Sequence, residues 1–525
     1  MNRQIPLLFL LCCFTLSSQE PSWEEATRQG NVFQAEGDYT GAERSYKAAL
    51  QTAGRFAEDD ARLAGSLNNL AALYYRLGRY SDAEPLYQRA VSVGEKAAAP
   101  EGSPRRVNLG RALGNLAALE RALGRYGEAE SLYRRSAEIL ESALGPADPS
   151  VATSWNNLAA LYGVLGKYAE AEQLLQRSLE SKRASLGPND PQVAAGMSNL
   201  AELYREEGKY GGAEMLLEGA IGILRANSPV NHPGLASALN NLASVFRHQG
   251  RDREAEPLYR EAIEIWRNSL GSEHPDLAAG LNNLGQLYAA QRRFNDAEPL
   301  YTRAVSIWEK ALGPDHPNVA AGLNNLAAMY MAEFRFVQAD SIFHRALAIQ
   351  EKAFGQYHPS VATSLNNLGA LYFQGGRYAE AERLYRRALE IREKTQGPEH
   401  PEVAATLVNL ARLLQARRKN AQAGPLYRRA LAIFEKALPS GQPEMAACLK
   451  SYAALLRQAR RRVEAEQLEK RAKELLTGGL RSRNAGEPAA GCQSASCRSG
   501  RKCALGAEDC TEMRLAAPAR RDAIF

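Results

Sequence analysis

Asparagine side chains recur along this 525-residue chain at a nearly fixed step, and amide groups in such a row could bind the backbone of another protein. The second asparagine of a motif close to Leu-Asn-Asn-Leu-Ala lies at Asn69, Asn115, Asn157, Asn199, Asn241, Asn283, Asn325, Asn367 and Asn409. A carboxamide offers two donors and an acceptor, so it can pair with both the N–H and the C=O of an extended peptide. The alternative is a ladder in which these asparagines bond between neighbouring repeats and fix their stacking. Both interpretations stay open at the level of sequence.

Histidines recur at the same step, which raises the question of a metal site. Five of the seven histidines form one column: His232, His274, His316, His358 and His400. Ligands of one ion lie about 2 Å from it, whereas equivalent residues on stacked helices are roughly 10 Å apart. One column therefore cannot build one metal site. Because Asp148, Asp190 and Gln442 replace the histidine elsewhere, we predict that this column caps helices or packs loops.

Catalytic motifs are missing from the sequence. It contains no glycine-rich phosphate loop, no serine nucleophile elbow and no His-Glu-x-x-His motif. The acidic residues follow the repeat and are typical of solvated helix faces. We therefore predict a protein that is not an enzyme and that has no cofactor and no metal. A net charge of +6, from 65 basic and 59 acidic residues, is too small to indicate nucleic acid or an anionic membrane as the partner.

The elements that position these columns are pairs of short helices. From Asn115 onward each step is 42 residues, and a fixed period in this range is typical of a solenoid. Within residues 148–187, Asp148 and Pro149 suit the cap and first position of a helix. Gly166 suits its end, and Gly187 suits the end of a second helix. The first helix carries an apolar stripe at three- and four-residue steps, formed by Val151, Leu158, Leu161 and Tyr162.

Two further columns describe how the helices of a pair meet. The second helix has alanine at all eleven equivalent positions, Ala42, Ala83, Ala129, Ala171, Ala213, Ala255, Ala297, Ala339, Ala381, Ala423 and Ala465. We infer a close helix crossing in which a larger side chain would cost about 1–3 kcal/mol. The turn glycine is less strict, because Arg292, Phe334, Arg418 and Arg460 replace it. If these turns keep the glycine conformation, each replacement costs on the order of 1 kcal/mol.

The array is predicted to cover residues 23–476, between two different terminal segments. Residues 1–18 contain Arg3 and a short apolar run, which are typical of a secretory signal peptide, with lipidation at Cys12 or Cys13 as an alternative. No other segment is apolar enough to span a membrane. Residues 97–106 are predicted to form a longer loop. Residues 478–525 have no helical stripe and are predicted to be a disordered tail, whose four cysteines allow two disulfides if the protein is exported.

The sequence resembles the tetratricopeptide repeat, in the 42-residue form found in kinesin light chains and in many bacterial proteins. The residues that carry the resemblance in one repeat are Leu70, Ala71, Tyr74, Gly78, Ala83, Tyr87 and Ala90, and residues 358–394 show the longer pattern almost without departure. The resemblance implies an all-α, right-handed superhelical solenoid of about eleven antiparallel helix pairs. Its first helices are then expected to line a concave groove. The chain lacks the heptad region that joins a light chain to its motor.

The resemblance also implies which residues contact a partner. It assigns peptide binding to Asn157, Asn199, Asn241, Asn283, Asn325, Asn367 and Asn409, because the matching carboxamide in tetratricopeptide proteins often grips an extended peptide. Three positions further along, most repeats have small residues, and Glu202 and Arg412 are charged exceptions that could read opposite charges on a ligand.

We therefore predict a scaffold that binds partner proteins or extended peptides in its groove. The alternative is a structural spacer or assembly platform that uses its edges and convex face. The signal peptide favours a secreted or periplasmic protein, and the protein is cytoplasmic if the apolar run is not a signal. The sequence does not indicate an oligomeric state or name the partner.

Overall fold

The computed structural model describes residues 21–96, 103–229, 231–437 and 443–484. These residues form twenty-two α-helices and no strand. The helices are α1 (Trp23–Ala35), α2 (Tyr39–Ala53), α3 (Ala61–Arg76), α4 (Tyr80–Lys96), α5 (Pro104–Ala122), α6 (Tyr126–Leu144), α7 (Pro149–Val164), α8 (Tyr168–Leu186), α9 (Pro191–Glu207), α10 (Tyr210–Asn227), α11 (Pro233–His248), α12 (Asp252–Leu270), α13 (Pro275–Ala290), α14 (Phe294–Leu312), α15 (Pro317–Ala332), α16 (Phe336–Phe354), α17 (Pro359–Gln374), α18 (Tyr378–Gln396), α19 (Pro401–Ala416), α20 (Asn420–Ala437), α21 (Pro443–Gln458) and α22 (Arg462–Asn484).

The helices pack as eleven antiparallel pairs, numbered here from pair 1 (α1 and α2) to pair 11 (α21 and α22). Within each pair the two helices pack along their length, and each second helix also packs on the first helix of the next pair. First helices of neighbouring pairs contact each other directly, as α3 does with α5 and α9 with α11. This packing confirms the predicted all-α solenoid and places the first helices on its inner side.

The starts of the first helices confirm the predicted capping role of the histidine column. All five histidines are N-cap residues, and each ring accepts through Nδ1 a hydrogen bond from the backbone N–H two residues further on, over distances of 3.0 to 3.2 Å. Asp148 and Asp190 do the same through Oδ1, at 2.7 Å. The capping bond satisfies a backbone donor that the first turn of a helix leaves without an intrahelical partner.

The alanine column lies where the two helices of a pair cross. Each of its eleven side chains has 0% of its surface exposed, from Ala42 in α2 to Ala465 in α22. No space is therefore left for a larger side chain, as the sequence predicts.

The four turns without glycine keep the left-handed conformation. The φ angles are 59° at Arg292, 63° at Phe334, 57° at Arg418 and 62° at Arg460, close to the 68° and 74° of Gly78 and Gly124. A side chain in this region approaches its own backbone too closely, so each of these residues costs on the order of 1 kcal/mol. The turns at the C-terminal end are therefore the more strained ones.

Replacing Phe334 by glycine should raise the stability of the array by about 1 kcal/mol, because it removes this strain. The Phe334 side chain is 73% exposed, and its ring contacts Phe336 with centroids 6.0 Å apart, so little buried surface is lost. The measurement is the shift of the urea unfolding midpoint relative to wild type. A lower midpoint in the variant would mean that the Phe334–Phe336 contact outweighs the backbone strain.

Two boundaries differ from the sequence-based expectation. Helix α5 begins at Pro104 and is capped by Ser103, so the loop predicted over residues 97–106 ends three residues earlier than expected. Helix α22 runs to Asn484, so residues 478–484 of the predicted tail continue the last helix. The predicted signal peptide, Cys12, Cys13 and the four cysteines of the tail lie outside the described residues. None of the described helices is long and apolar enough to cross a membrane.

Candidate functional site

The candidate site is the inner face of the solenoid, which is formed by one side of each first helix. Behind this face lies the buried stripe, exemplified in α7 by Leu158 and Leu161. On the face itself, Thr153 and Ala160 in α7 and Arg412 in α19 are exposed. Small and polar side chains are therefore accessible on the inner face.

Four of the asparagines in the column form bonds between neighbouring pairs. The Nδ2 group of the second asparagine in one repeat donates to Oδ1 of the first asparagine in the preceding repeat. These bonds join Asn115 to Asn68 (2.9 Å), Asn283 to Asn240 (3.0 Å), Asn325 to Asn282 (2.8 Å) and Asn409 to Asn366 (3.0 Å). They are the bonds that the ladder interpretation predicts, and they link the first helices along the inner face.

The ladder changes where the preceding repeat lacks a matching asparagine. Gly114 occupies the partner position for Asn157, and Ser198 occupies it for Asn241. Asn157, Asn199, Asn241 and Asn367 are all half-buried, with part of the side chain open to solvent. Their peptide-binding role stays a prediction, and the absence of an asparagine opposite Asn157 and Asn241 makes these two the most suitable to test it.

A buried polar network replaces the ladder bond of Asn367. Its expected partner, Asn324, instead donates from Nδ2 to the hydroxyl of Ser364 (2.8 Å). That hydroxyl also bonds to Oε1 of Gln350 (2.6 Å) in α16. All three groups are buried, so the network ties pair 8 to pair 9 from inside the core.

Asn325 is the least accessible of the predicted site residues. Only 7% of it is exposed, and its Oδ1 atom is buried. Asn282, its ladder partner, is 5% exposed. A ligand could therefore reach this amide only if α15 moved, whereas Asn157 and Asn241 are accessible in the structure as it stands.

The charge on Glu202 is neutralised within its own helix. Arg205 donates from Nε to Oε2 of Glu202 (2.9 Å), and a second guanidinium nitrogen contacts Oε1. The sequence-based prediction gave Glu202 as a residue that binds a positive charge on a ligand, but it missed this ion pair. The sequence could have predicted the ion pair, because oppositely charged residues three positions apart lie on the same face of a helix. Arg412 is exposed on α19, and its role in binding a ligand stays a prediction.

A histidine lies beside this ion pair at the end of α11. Its ring nitrogen Nδ1 is 2.7 Å from the carbonyl oxygen of Ser244, which can only accept, so Nδ1 donates. Burial, together with the nearby positive charges of Arg247 and Arg205, lowers the pKa of His248 to about 3. The imidazole is therefore neutral in the folded protein at physiological pH.

Acid should destabilise the array through His248. In the unfolded chain a histidine binds a proton near pH 6.5, and the folded protein does not bind one until near pH 3. The unfolded state therefore holds more protons in this window, and stability falls as the pH falls below about 6.5. We expect a loss of up to about 2 kcal/mol between pH 7.5 and pH 5 from this residue.

The test compares urea unfolding midpoints of wild type and His248→Ala at pH 7.5 and pH 5. Alanine is the natural residue at this position in neighbouring repeats, as Ala290 and Ala332. The variant should lose less stability than wild type between the two pH values. An equal loss in both proteins would show that other groups cause the acid sensitivity.

Large apolar side chains are exposed outside the inner face. Phe334 (73% exposed) lies in the turn between α15 and α16, Val337 (86%) lies in the first turn of α16, and Met215 (70%) lies on α10. These residues are on turns and second helices, which form the edge and the outer side of the solenoid.

Comparison with known families decides the identity of the repeat. The tetratricopeptide repeat model matches residues 24–96, 108–184, 150–226, 234–310, 280–330, 318–394, 361–436 and 402–477. The chain belongs to the tetratricopeptide repeat family. The matches extend over nearly the whole predicted array, and the comparison with curated proteins found no match.

Solved tetratricopeptide structures similar to this chain include proteins of the kinesin-light-chain type. BtubC (BKLC) from P. vanneervenii is 27% identical, with 44% of this chain and 92% of the other chain covered and a TM-score of 0.38. A putative kinesin light chain from Podosopora anserina is 29% identical, with 39% and 97% covered and a TM-score of 0.33. A Rap protein complexed with Competence and Sporulation Factor is 14% identical, with 71% and 99% covered and a TM-score of 0.48.

Proposed function

We propose that this tetratricopeptide protein is a non-catalytic scaffold that binds partner proteins or extended peptides along its inner face. The observation that carries the proposal is the exposed surface of the first helices, where Thr153, Ala160 and Arg412 remain open beside the asparagine column. Small side chains leave room for a peptide backbone, and neighbouring carboxamides supply the donors and acceptors that a backbone needs. The residues best placed to bind are Asn157 and Asn241.

The alternative function is a spacer or assembly platform that binds through its edges and outer side. Two observations favour it. The ladder bonds, such as Asn283 to Asn240, already use several of the amides within the chain. In addition, the exposed apolar groups Phe334, Val337 and Met215 lie on turns and second helices, away from the inner face.

Site-specific photo-crosslinking distinguishes the two functions. A photoreactive amino acid is placed at Ala160 on the inner face in one variant and at Met215 on the outer side in another, in the full chain and in the cells that produce it. The scaffold proposal expects a crosslinked protein from position 160. Crosslinks from position 215 alone would contradict it and favour the platform.

A matched pair of double variants then tests the asparagines themselves. Asn157→Ala with Asn241→Ala removes amides for which the preceding repeat has no asparagine, and Asn283→Ala with Asn409→Ala removes two ladder donors. If the inner face binds the partner through its amides, the first double variant weakens binding of the crosslinked protein without a loss of stability. If it leaves binding unchanged, the amides do not contact the partner.

A further inference from the structure

Contacts between residues more than two hundred positions apart join successive turns of the superhelix. The ring nitrogen Nε2 of His316, at the start of pair 8, lies 3.1 Å from the carbonyl oxygen of Arg76 in pair 2. Nε2 of His400, at the start of pair 10, lies 3.0 Å from the carbonyl oxygen of Val164 in pair 4. One turn of the superhelix therefore takes six pairs. The N-cap residue of a late pair contacts the end of the first helix in the pair six positions earlier.

The third contact of this kind joins pair 9 to pair 3. The His358 ring packs against the turn at Gly124, and it stacks on Phe354 with ring centroids 4.0 Å apart. Phe354 in turn stacks on Tyr80 of pair 2, with centroids 5.4 Å apart. His316, His358 and His400 are buried in these contacts, whereas His232 and His274 are partly exposed.

A neutral histidine is suited to this position because it can make two bonds with opposite roles. A carbonyl oxygen only accepts, so Nε2 of His316 and of His400 donates to the neighbouring turn. Nδ1 of the same ring accepts the capping bond from the backbone N–H of its own helix. An aspartate caps equally well, as Asp148 does at 2.7 Å, but a carboxylate has no proton to donate to a carbonyl.

The cap residues of the first helices follow this geometry along the sequence. Pairs 7 to 10, which have an earlier turn of the superhelix within reach, all begin with histidine, whereas the sequence of pair 11 has Gln442 in this column. Pairs 1 to 5 have no earlier turn of the superhelix beneath them. Their N-cap residues are serine or aspartate, which cap the helix without donating to another turn, namely Ser22, Asp60, Ser103, Asp148 and Asp190. His232 of pair 6 is the exception and caps its helix in the ordinary way.

The residues in the turns between the two helices of a pair also differ between early and late pairs. A Cβ atom on Gly78 would lie 2.7 Å from Cδ of Pro317, and one on Gly124 would lie 3.0 Å from Cδ of Pro359. Pairs 1 to 5 all have glycine in this turn, although a Cβ atom on Gly37 or Gly166 would have no atom within 4 Å. The four turns with a side chain belong to pairs 7, 8, 10 and 11 and are Arg292, Phe334, Arg418 and Arg460. The glycines in the turns of pairs 2 and 3 thus leave the space that Pro317 and Pro359 occupy.

We propose that His316, His358 and His400 form a latch that holds successive turns of the superhelix together. The latch closes the array into a coil, so that the inner face is the inner wall of that coil. A cavity of about 500 Å³ lies between pairs 1 and 7, lined by Gly37, Tyr39 and His274 among others. Large partner segments reach the inner wall through an end of the coil or after the latch opens. This inference goes beyond the proposed function and does not depend on it.

The test is small-angle X-ray scattering of the full chain, with circular dichroism as a check on helix content. The latch variant is His316→Asp, His358→Asp and His400→Asp, which keeps the helix caps and removes the donors. The control is His232→Asp, which changes a cap without a turn beneath it. We expect a larger radius of gyration and maximum dimension for the latch variant, unchanged helix content, and no change in the control. A helical latch variant as compact as wild type would overturn the proposal.

A second comparison keeps the proposal falsifiable if the triple variant fails to fold. Gly78→Ala and Gly250→Ala introduce the same methyl group at φ angles of 68° and 74°, so the backbone strain is matched. Only the first meets another turn, because no atom lies within 4 Å of a Cβ placed on Gly250. Expansion of the Gly78→Ala protein alone would support the latch. Equal dimensions for both variants would exclude a close contact between turns in solution.

Discussion

Replacing Arg392 by alanine should lower the free energy of unfolding by about 3–5 kcal/mol, the largest effect expected for a single substitution here. The Arg392 side chain is only 4% exposed, between α17, α18 and α19. Its guanidinium donates to the hydroxyls of Thr406 (2.5 Å) and Thr363 (3.2 Å) and to the backbone carbonyl of Glu402 (3.0 Å). A carboxylate oxygen of Glu402 lies 2.8 Å from it. Truncation leaves the buried hydroxyls of Thr363 and Thr406 without this donor and opens a cavity where the side chain lay.

The same position in other repeats supplies a matched control. Its counterpart two repeats earlier is Trp308, whose indole packs over Gly322 and donates to the carbonyl of Pro275 (3.1 Å). Gly322 is the counterpart of Thr406. A triple variant therefore introduces the side chains that pack at this position two repeats earlier: Arg392→Trp, Thr363→Ala and Thr406→Gly. It should recover most of the stability that Arg392→Ala loses, since buried ion pairs are often no more stabilising than well-packed apolar groups.

Urea unfolding followed by circular dichroism measures both variants against wild type. The transition of a repeat array reports mainly on the repeats that contain the substitution, because each repeat packs mainly on its neighbours. A loss below about 1 kcal/mol for Arg392→Ala would mean that solvent reaches the guanidinium and compensates its partners. A triple variant as unstable as Arg392→Ala would show that pairs 9 and 10 do not accept the indole.

Local periodicity explains why much of this fold could be predicted from sequence. Ala297 and the other crossing alanines repeat at a fixed step because each pair meets the same steric limit, and the histidine caps repeat because each helix needs one. These features depend on residues close in sequence. The left-handed φ at Arg418 and its equivalents was predictable for the same reason, since the turn length is constant.

Features that depend on the superhelix as a whole could not be predicted in this way. The contact between His316 and the carbonyl of Arg76 depends on how many repeats complete a turn, and small rotations between neighbouring pairs decide that number. The sequence does change from aspartate to histidine caps between Asp190 and His232. That change indicates a contact between turns of the superhelix only once the number of repeats per turn is known. The ion pair of Glu202 with Arg205 was missed although it is local.

Replacing Asn325 by alanine should lower the free energy of unfolding by about 1–3 kcal/mol, because it leaves a buried acceptor on Asn282 without its donor. Asn241→Ala is the control in the same column. Its partner position holds Ser198 and its side chain is half-buried, so its loss should stay within about 0.5 kcal/mol. The measurement is the urea midpoint of each variant, together with Asn282→Ala and the double variant Asn282→Ala, Asn325→Ala.

The double-mutant cycle separates the ladder bond from every other effect of the two substitutions. If Asn282 and Asn325 act through their shared bond, the double variant is more stable than the sum of the single losses implies, by about 0.5–3 kcal/mol. Additive losses would contradict the ladder at this position. If the Asn282 and Asn325 substitutions are coupled and Asn241→Ala leaves stability unchanged, the asparagines of the column have two different roles. The amides that form ladder bonds then hold the stack, and the amides of Asn157 and Asn241 are left for a partner.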